Sequence, residues 1–235
     1  MADIFHQLSI WFLPVIIAIT FHEAAHGYVA WRLGDDTAKL EGRVTFLPWK
    51  HVDLVGTITL PAVLLLIPAP FLFGWAKPVP VDFENLRNPK RDMVWVAAAG
   101  PGINLVLAIV SAALLHIVPL LPTDVEAWVA RNLINSVVIN LVLAVFNMLP
   151  LPPLDGGRVA VGLLPAVLAR PLARLERIGL FIVVLILIVI PWAGRQIALD
   201  IDILDWLVRG PVEFLYRNLM SIVGPVPWAP KDRMR

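Results

Sequence analysis

Five apolar runs set the terms on which this chain can fold: residues 8–33, 54–75, 93–121, 128–149 and 178–192. Runs of about 20 residues match the hydrocarbon thickness of a bilayer. Inside lipid every backbone N–H and C=O must find its partner within the protein, which leaves helices or closed barrels. These runs are continuous rather than alternating, so they read as helices. The balance of residue types agrees, with 59% hydrophobic and 16% charged where soluble domains carry about 25% charge. The chain is expected to be an all-α polytopic membrane bundle and a single membrane-embedded domain, with a core over about 8–160 and a C-terminal span and tail over about 175–235. A net charge of +1 points to no nucleic-acid partner. The absence of cysteine excludes disulfides and thiolate metal sites. The first run has no basic segment before it and no small-residue cleavage site, so it reads as a retained span.

The second run differs from the others. It carries Pro61, Pro68 and Pro70 and opens on the β-branched "VGTITL". With "GRVTF" upstream, residues 42–60 read as a β-hairpin turning near Pro48 and His51. A sheet edge cannot face lipid, so the hairpin is expected to be re-entrant or interfacial.

The basic residues discriminate. Arg32, Lys39, Arg43 and Lys50 follow the first run; Lys77, Arg87, Lys90 and Arg91 precede the third; Arg158, Arg170, Arg174 and Arg177 follow the fourth. Residues 119–127 hold no Lys or Arg. If the second run does not cross, all the basic links fall on one side, the positive-inside pattern. The expectation is therefore about four transmembrane helices with the N-terminus outside. The tail mixes Asp200, Asp202, Asp205, Arg209 and Arg217 with large apolar residues and reads as a C-terminal amphipathic segment at the interface. Trp31, Trp75, Trp128 and Trp192 fall near run ends, as in an aromatic belt.

Against this apolar background stands "FHEAAHGYVA", residues 21–30. Ionisable groups inside a span mark function by default. His22, Glu23 and His26 form H-E-x-x-H. On a helix, residues four apart share a face, so the two imidazoles can bind one zinc ion while Glu23 serves a zinc-bound water as general base. A catalytic zinc needs a third protein ligand. Glu41 lies nearby in the charged "DDTAKLEGR". Asp155 follows a proline-broken helix end in "FNMLPLPPLDGGRV" and shares the depth of the histidines, which lie about 11 to 16 Å from the end of their span at 1.5 Å per residue. Asp155 is the better candidate.

At these residues the chain resembles the site-2 proteases, zinc intramembrane metalloproteases, and in particular their short prokaryotic members without a PDZ domain. "FHEAAHG", "FNMLPLPPLDGGRV" and "AAAGPGINL" match three family motifs, and "GRVTFLPWKHVDLVGT" and "FGWAKPVPV" look like the short subgroup. The resemblance covers roughly residues 8–160. It implies that His22, His26 and Asp155 ligate Zn2+, that Glu23 is the general base, and that Asn147 holds the substrate backbone or stabilises the oxyanion. Asn104 is a second oxyanion candidate, with an interhelical hydrogen bond as its equal alternative. Gly100 and Gly102 are read as sites of close helix approach. One departure is Leu47, where many short members carry Asn before the turn proline.

The implied activity is hydrolysis of a peptide bond in a transmembrane protein, a membrane-tethered regulator or signal-peptide remnant, near the cytoplasmic side of a prokaryotic cell membrane. An exposed hairpin edge at Gly56, Thr57, Ile58 and Thr59 would pair with the unwound substrate. His51 and Asp53 are read as interfacial structural residues, and His6 and His116 as isolated. Two other classes compete: a membrane zinc or ion transporter, which would want polar groups in several spans, and a zinc-binding protein that holds clients without cutting them.

Overall fold

The computed structural model describes residues 2–59, 63, 74, 76–191, 194, 203 and 205–225. Three long helices form the body: α1 (Ala2–Leu33), α3 (Pro89–Leu114) and α4 (Thr123–Asn147). Between the first two lies the short α2 (Thr37–Leu40), and after α4 come α5 (Asp155–Leu163), α6 (Ala166–Arg174), α7 (Gly179–Val184) and α8 (Gly210–Val223). The three long helices pack on one another, and α5 packs on α3. Small side chains let them approach. Ala108 and Ala112 of α3 meet Val137 and Leu141 of α4, while Ala30 of α1 meets Leu86 and Val96.

The ends of the helices are written locally. Pro89 opens α3 at its first turn, where its missing N–H costs nothing. Asp92 reaches back to accept the Asn88 backbone N–H at 2.8 Å, which satisfies a donor at the helix start. The prolines at 150, 152 and 153 stop α4. The chain then doubles back so tightly that a Cβ on Gly156 would strike the Met148 carbonyl and one on Gly157 the Pro152 nitrogen. This turn puts Asp155 at the start of α5.

Among the described residues, three helices are long and apolar enough to cross a membrane: Phe5–Leu33, Pro89–Leu120 and Thr123–Asn147. The expected fourth span is helical over Gly179–Val184 and Leu185–Val189 and continues into residues that are not described. Most of the second apolar run, with Trp75, lies outside the described residues, as does Trp192.

The expected β-hairpin does not form. No strand occurs among the described residues. Pro48–Lys50 is a 3-10 turn and Leu54–Thr59 a π-helical turn. Asp53 explains the outcome: its carboxylate accepts the backbone N–H groups of Val55 (3.0 Å) and Gly56 (2.6 Å), and the Thr57 hydroxyl is 3.0 Å from the Asp53 nitrogen. This is a helix N-cap, and it prevails over a β preference that is weak and context-dependent. Gly56, Thr57, Ile58 and Thr59 therefore offer no strand edge for a substrate.

The C-terminal segment is amphipathic as expected, but it is built into the bundle. Helix α8 lays Val212, Leu215, Tyr216, Leu219, Met220 and Val223 against the α3–α4 core. Its outer side carries the exposed pair Glu213–Arg217 at 3.0 Å.

Candidate metal centre

His22 and His26 lie one turn apart on α1, and both are buried. Asp155 reaches them from the start of α5. The three atoms His22 Nε2, His26 Nε2 and Asp155 Oδ2 form a nearly equilateral triangle with edges of 3.1, 3.2 and 3.3 Å. Four-coordinate tetrahedral zinc with bonds of 2.0–2.1 Å separates its ligand atoms by about 3.3–3.4 Å. The triangle is thus close to one face of such a tetrahedron. Asp155 Oδ2 is buried without a hydrogen-bond donor.

The other side of each imidazole fixes its chemistry. His26 Nδ1–H donates to the Val96 carbonyl at 2.7 Å, and His22 Nδ1–H donates to Asn104 Oδ1. Both acceptors require the proton on Nδ1, so both Nε2 lone pairs point into the triangle, the tautomer a metal demands. Three buried lone-pair donors crowded together are costly unless a cation joins them.

Room is kept open by Gly100. A Cβ there would sit 2.6 Å from His22 Nε2 and closer still to His26 Nε2. The "AGPG" of α3 therefore passes directly over the ligand atoms. Gly102 does not share this role, since a Cβ on it would meet nothing within 4 Å.

Asn104 is fully buried and holds the His22 ring through its Oδ1. Besides holding His22, its Nδ2 donates to Asn140 Oδ1 at 2.7 Å and to the Ala18 carbonyl at 3.3 Å. Asn140 in turn donates to the Ser136 carbonyl at 2.8 Å, and the Ser136 and Ser111 hydroxyls meet at 2.8 Å. A buried polar chain thus runs from His22 through α3 into α4. Both N–H donors of the Asn104 amide are thus engaged within the bundle, the interhelical hydrogen bonding that stood as the alternative to an oxyanion role. Asn140 was not singled out by motif, yet a polar residue inside an apolar span is itself a signal.

Glu23 is half-buried, and its Oε2 accepts the Val79 backbone N–H at 2.8 Å. Asn147 ends α4 and turns its Nδ2 back to the Leu143 carbonyl at 3.0 Å. Glu41 is exposed at the end of α2. His51 is structural, buried with its Nε2–H donated to the Thr45 carbonyl at 2.9 Å. His6 and His116 lie away from the centre: His6 Nε2 meets Arg131 at 3.1 Å, and His116 donates to the Val223 carbonyl at 2.9 Å.

Comparison with known proteins agrees with this geometry. Residues 123–190 match the model of peptidase family M50, a stretch that includes Asp155 but not the two histidines. The chain is 40% identical over 183 residues to the Bacillus subtilis (strain 168) protein named "Putative zinc metalloprotease YwhC", covering 76% of this chain and 80% of that one. It is 28% identical over 181 residues to the similarly named Rip2 of Mycolicibacterium smegmatis, covering 77% and 66%. Rip2 of Mycobacterium tuberculosis (strain H37Rv) is 29% identical over 141 residues, covering 60% and 52%. No solved structure matches the chain.

Proposed function

The chain belongs to peptidase family M50 and is a zinc metalloprotease of the membrane; from that premise we propose that it cleaves a transmembrane protein near the cytoplasmic face of the bilayer. The observation that carries this reading is the His22–His26–Asp155 triangle, with both histidines in the metal-binding tautomer and with space held open by Gly100. The depth of the site supports the location. His22 and His26 lie in the half of α1 that leads to the basic links, which the positive-inside pattern assigns to the cytoplasm.

His22, His26 and Asp155 would hold the ion. Zinc so placed supplies Lewis-acid polarisation of the scissile carbonyl and brings the pKa of water towards neutrality. Glu23, next to His22 in sequence and outside the ligand set, takes the proton of the attacking water and returns it to the leaving amine. Asn104 and the Val96 carbonyl keep the imidazoles oriented through the cycle. Asn147, the last residue of its span, is proposed to offer an amide donor to the substrate backbone or the oxyanion once substrate competes with its bond to Leu143. The substrate is proposed to be a membrane-tethered regulator or a signal-peptide remnant.

The deciding experiment is a pulldown with the Glu23→Gln variant, with zinc content measured on the same sample. Uncleaved single-span membrane proteins should accumulate on a zinc-replete variant. Processing by Glu23→Gln at the wild-type rate would end the proposed mechanism.

A further inference from the structure

One buried cation has no use in the mechanism so far. Arg43 is 4% exposed and makes no ion pair among the described residues. It is set in place by a turn. Gly42 takes a positive φ of 63°, and the Gly42 and Arg43 N–H groups bond back to the Lys39 and Ala38 carbonyls at 2.9 and 2.8 Å. This is a Schellman ending to α2, and it aims the residue after the glycine inward. A single nitrogen of the guanidinium, Nη2, then lies 2.9 Å from the Lys77 carbonyl and 3.3 Å from the Pro78 carbonyl.

The Pro78 carbonyl and the Val79 N–H belong to one planar peptide unit. That N–H is the group that donates to Glu23 Oε2 at 2.8 Å. A buried guanidinium therefore grips one end of a peptide whose other end grips the carboxylate. A cation on the carbonyl oxygen polarises the unit and strengthens its N–H as a donor. The rest of the segment is pinned on both sides. The Lys77 N–H donates to the His51 carbonyl at 2.9 Å, and the Asp82 N–H donates to Asp35 Oδ2 at 2.9 Å. The Val79 side chain lies over Gly27, where an added Cβ would be 3.0 Å from Val79 Cγ1.

We propose that Arg43 is a positioning residue for Glu23, acting across the Pro78–Val79 peptide to fix the carboxylate beside the histidines. The proposal rests on Glu23 being the general base. A buried, unpaired guanidinium costs several kcal/mol of desolvation in general; here its countercharge is Glu23, reached through one peptide rather than by direct contact.

Two readouts test it on the zinc-loaded, full-length protein. The first is amide hydrogen exchange over residues 76–82, where Pro78 and Pro80 carry no amide proton and Val79 is easily isolated. Wild type should protect Val79. Arg43→Met and Glu23→Ala should each release it, and Glu23→Ala should leave Lys77 and Asp82 protected. The second is cleavage of a co-reconstituted single-span transmembrane reporter that the wild type cuts. Arg43→Met and Val79→Pro should each lower kcat roughly 10- to 100-fold, the scale of a displaced catalytic group, with KM and zinc content little changed. Because both act on one bond, the double variant should lose no more than Val79→Pro alone. Arg43→Lys, which keeps a charged donor, should recover part of the rate, and it decides the matter if Arg43→Met fails to fold. Protected Val79 with undiminished kcat in Arg43→Met, additive losses in the double variant, or loss of zinc in Arg43→Lys would each overturn the proposal. Failure of the underlying reading looks different: Glu23→Gln would then still cleave, whatever Arg43 does to exchange.

Discussion

Gly100 on α3 faces His26 on α1 so closely that no side chain heavier than hydrogen fits between the backbone and the imidazole Nε2. The metal centre is therefore shaped by an absence of side chain in a neighbouring helix as much as by its own ligands. Gly100→Ala should leave the bundle folded, since the clash is with side chains rather than with backbone, but should displace the histidines. Zinc content after purification should fall at least roughly tenfold, the scale of disrupted ligand orientation. Full zinc occupancy in this variant would show that the centre relaxes freely.

The ligands and the base should separate cleanly. Asp155→Ala removes one corner of the triangle and should abolish stoichiometric zinc. Glu23→Gln should retain zinc and lose cleavage by about 10²- to 10⁴-fold, the usual contribution of a general base. Elemental analysis paired with a cleavage assay checks both at once, and equal zinc loss in the two variants would contradict the assignment of roles.

Asn104 holds His22 in its tautomer. Asn104→Leu, close in volume but without an acceptor, should weaken zinc binding about 10- to 100-fold. Asn140→Leu should weaken it less, because it acts one bond further away. A competition titration with a chelator of known affinity measures both. Treating the wild type with such a chelator should abolish cleavage, and adding zinc back should restore it.

Asp35 offers a test of pH dependence outside the spans. It is fully buried at the end of α1. Burial would raise its pKa, but hydrogen bonds from the Thr37 hydroxyl and N–H, the Asp82 N–H and Asn85 Nδ2 outweigh that and lower it. A carboxyl with a lower pKa folded than unfolded adds stability that is complete above its unfolded pKa of about 3.9. That stability is lost as pH falls towards the folded value. Asp35→Asn should cost about 1–3 kcal/mol at neutral pH, and the gap to wild type should narrow below pH ~4. Thermal unfolding in detergent across that range reads it, and a constant gap would exclude linkage through Asp35.

Much of this protein was legible in one dimension because helices are local. A run of apolar residues long enough to span a bilayer must be helical, and a four-residue spacing on a helix puts His22 and His26 on one face wherever the helix goes. The prolines and glycines around Asp155 announced a break that could aim a carboxylate. Locality also explains the error at residues 42–60. The β-branched pattern there favours strands only weakly, and Asp53 at the head of a helical turn prevails over it.

What the sequence by itself determined was the set of helices and the chemical identity of the ligands. Only the tertiary structure decided which Asn serves His22, which glycine leaves room for the metal, and that Arg43 meets Glu23 through the Pro78–Val79 peptide. Those pairings join residues 20 to 82 positions apart. They depend on how one helix is rotated and slid against the next, and no spacing along a single helix records that register.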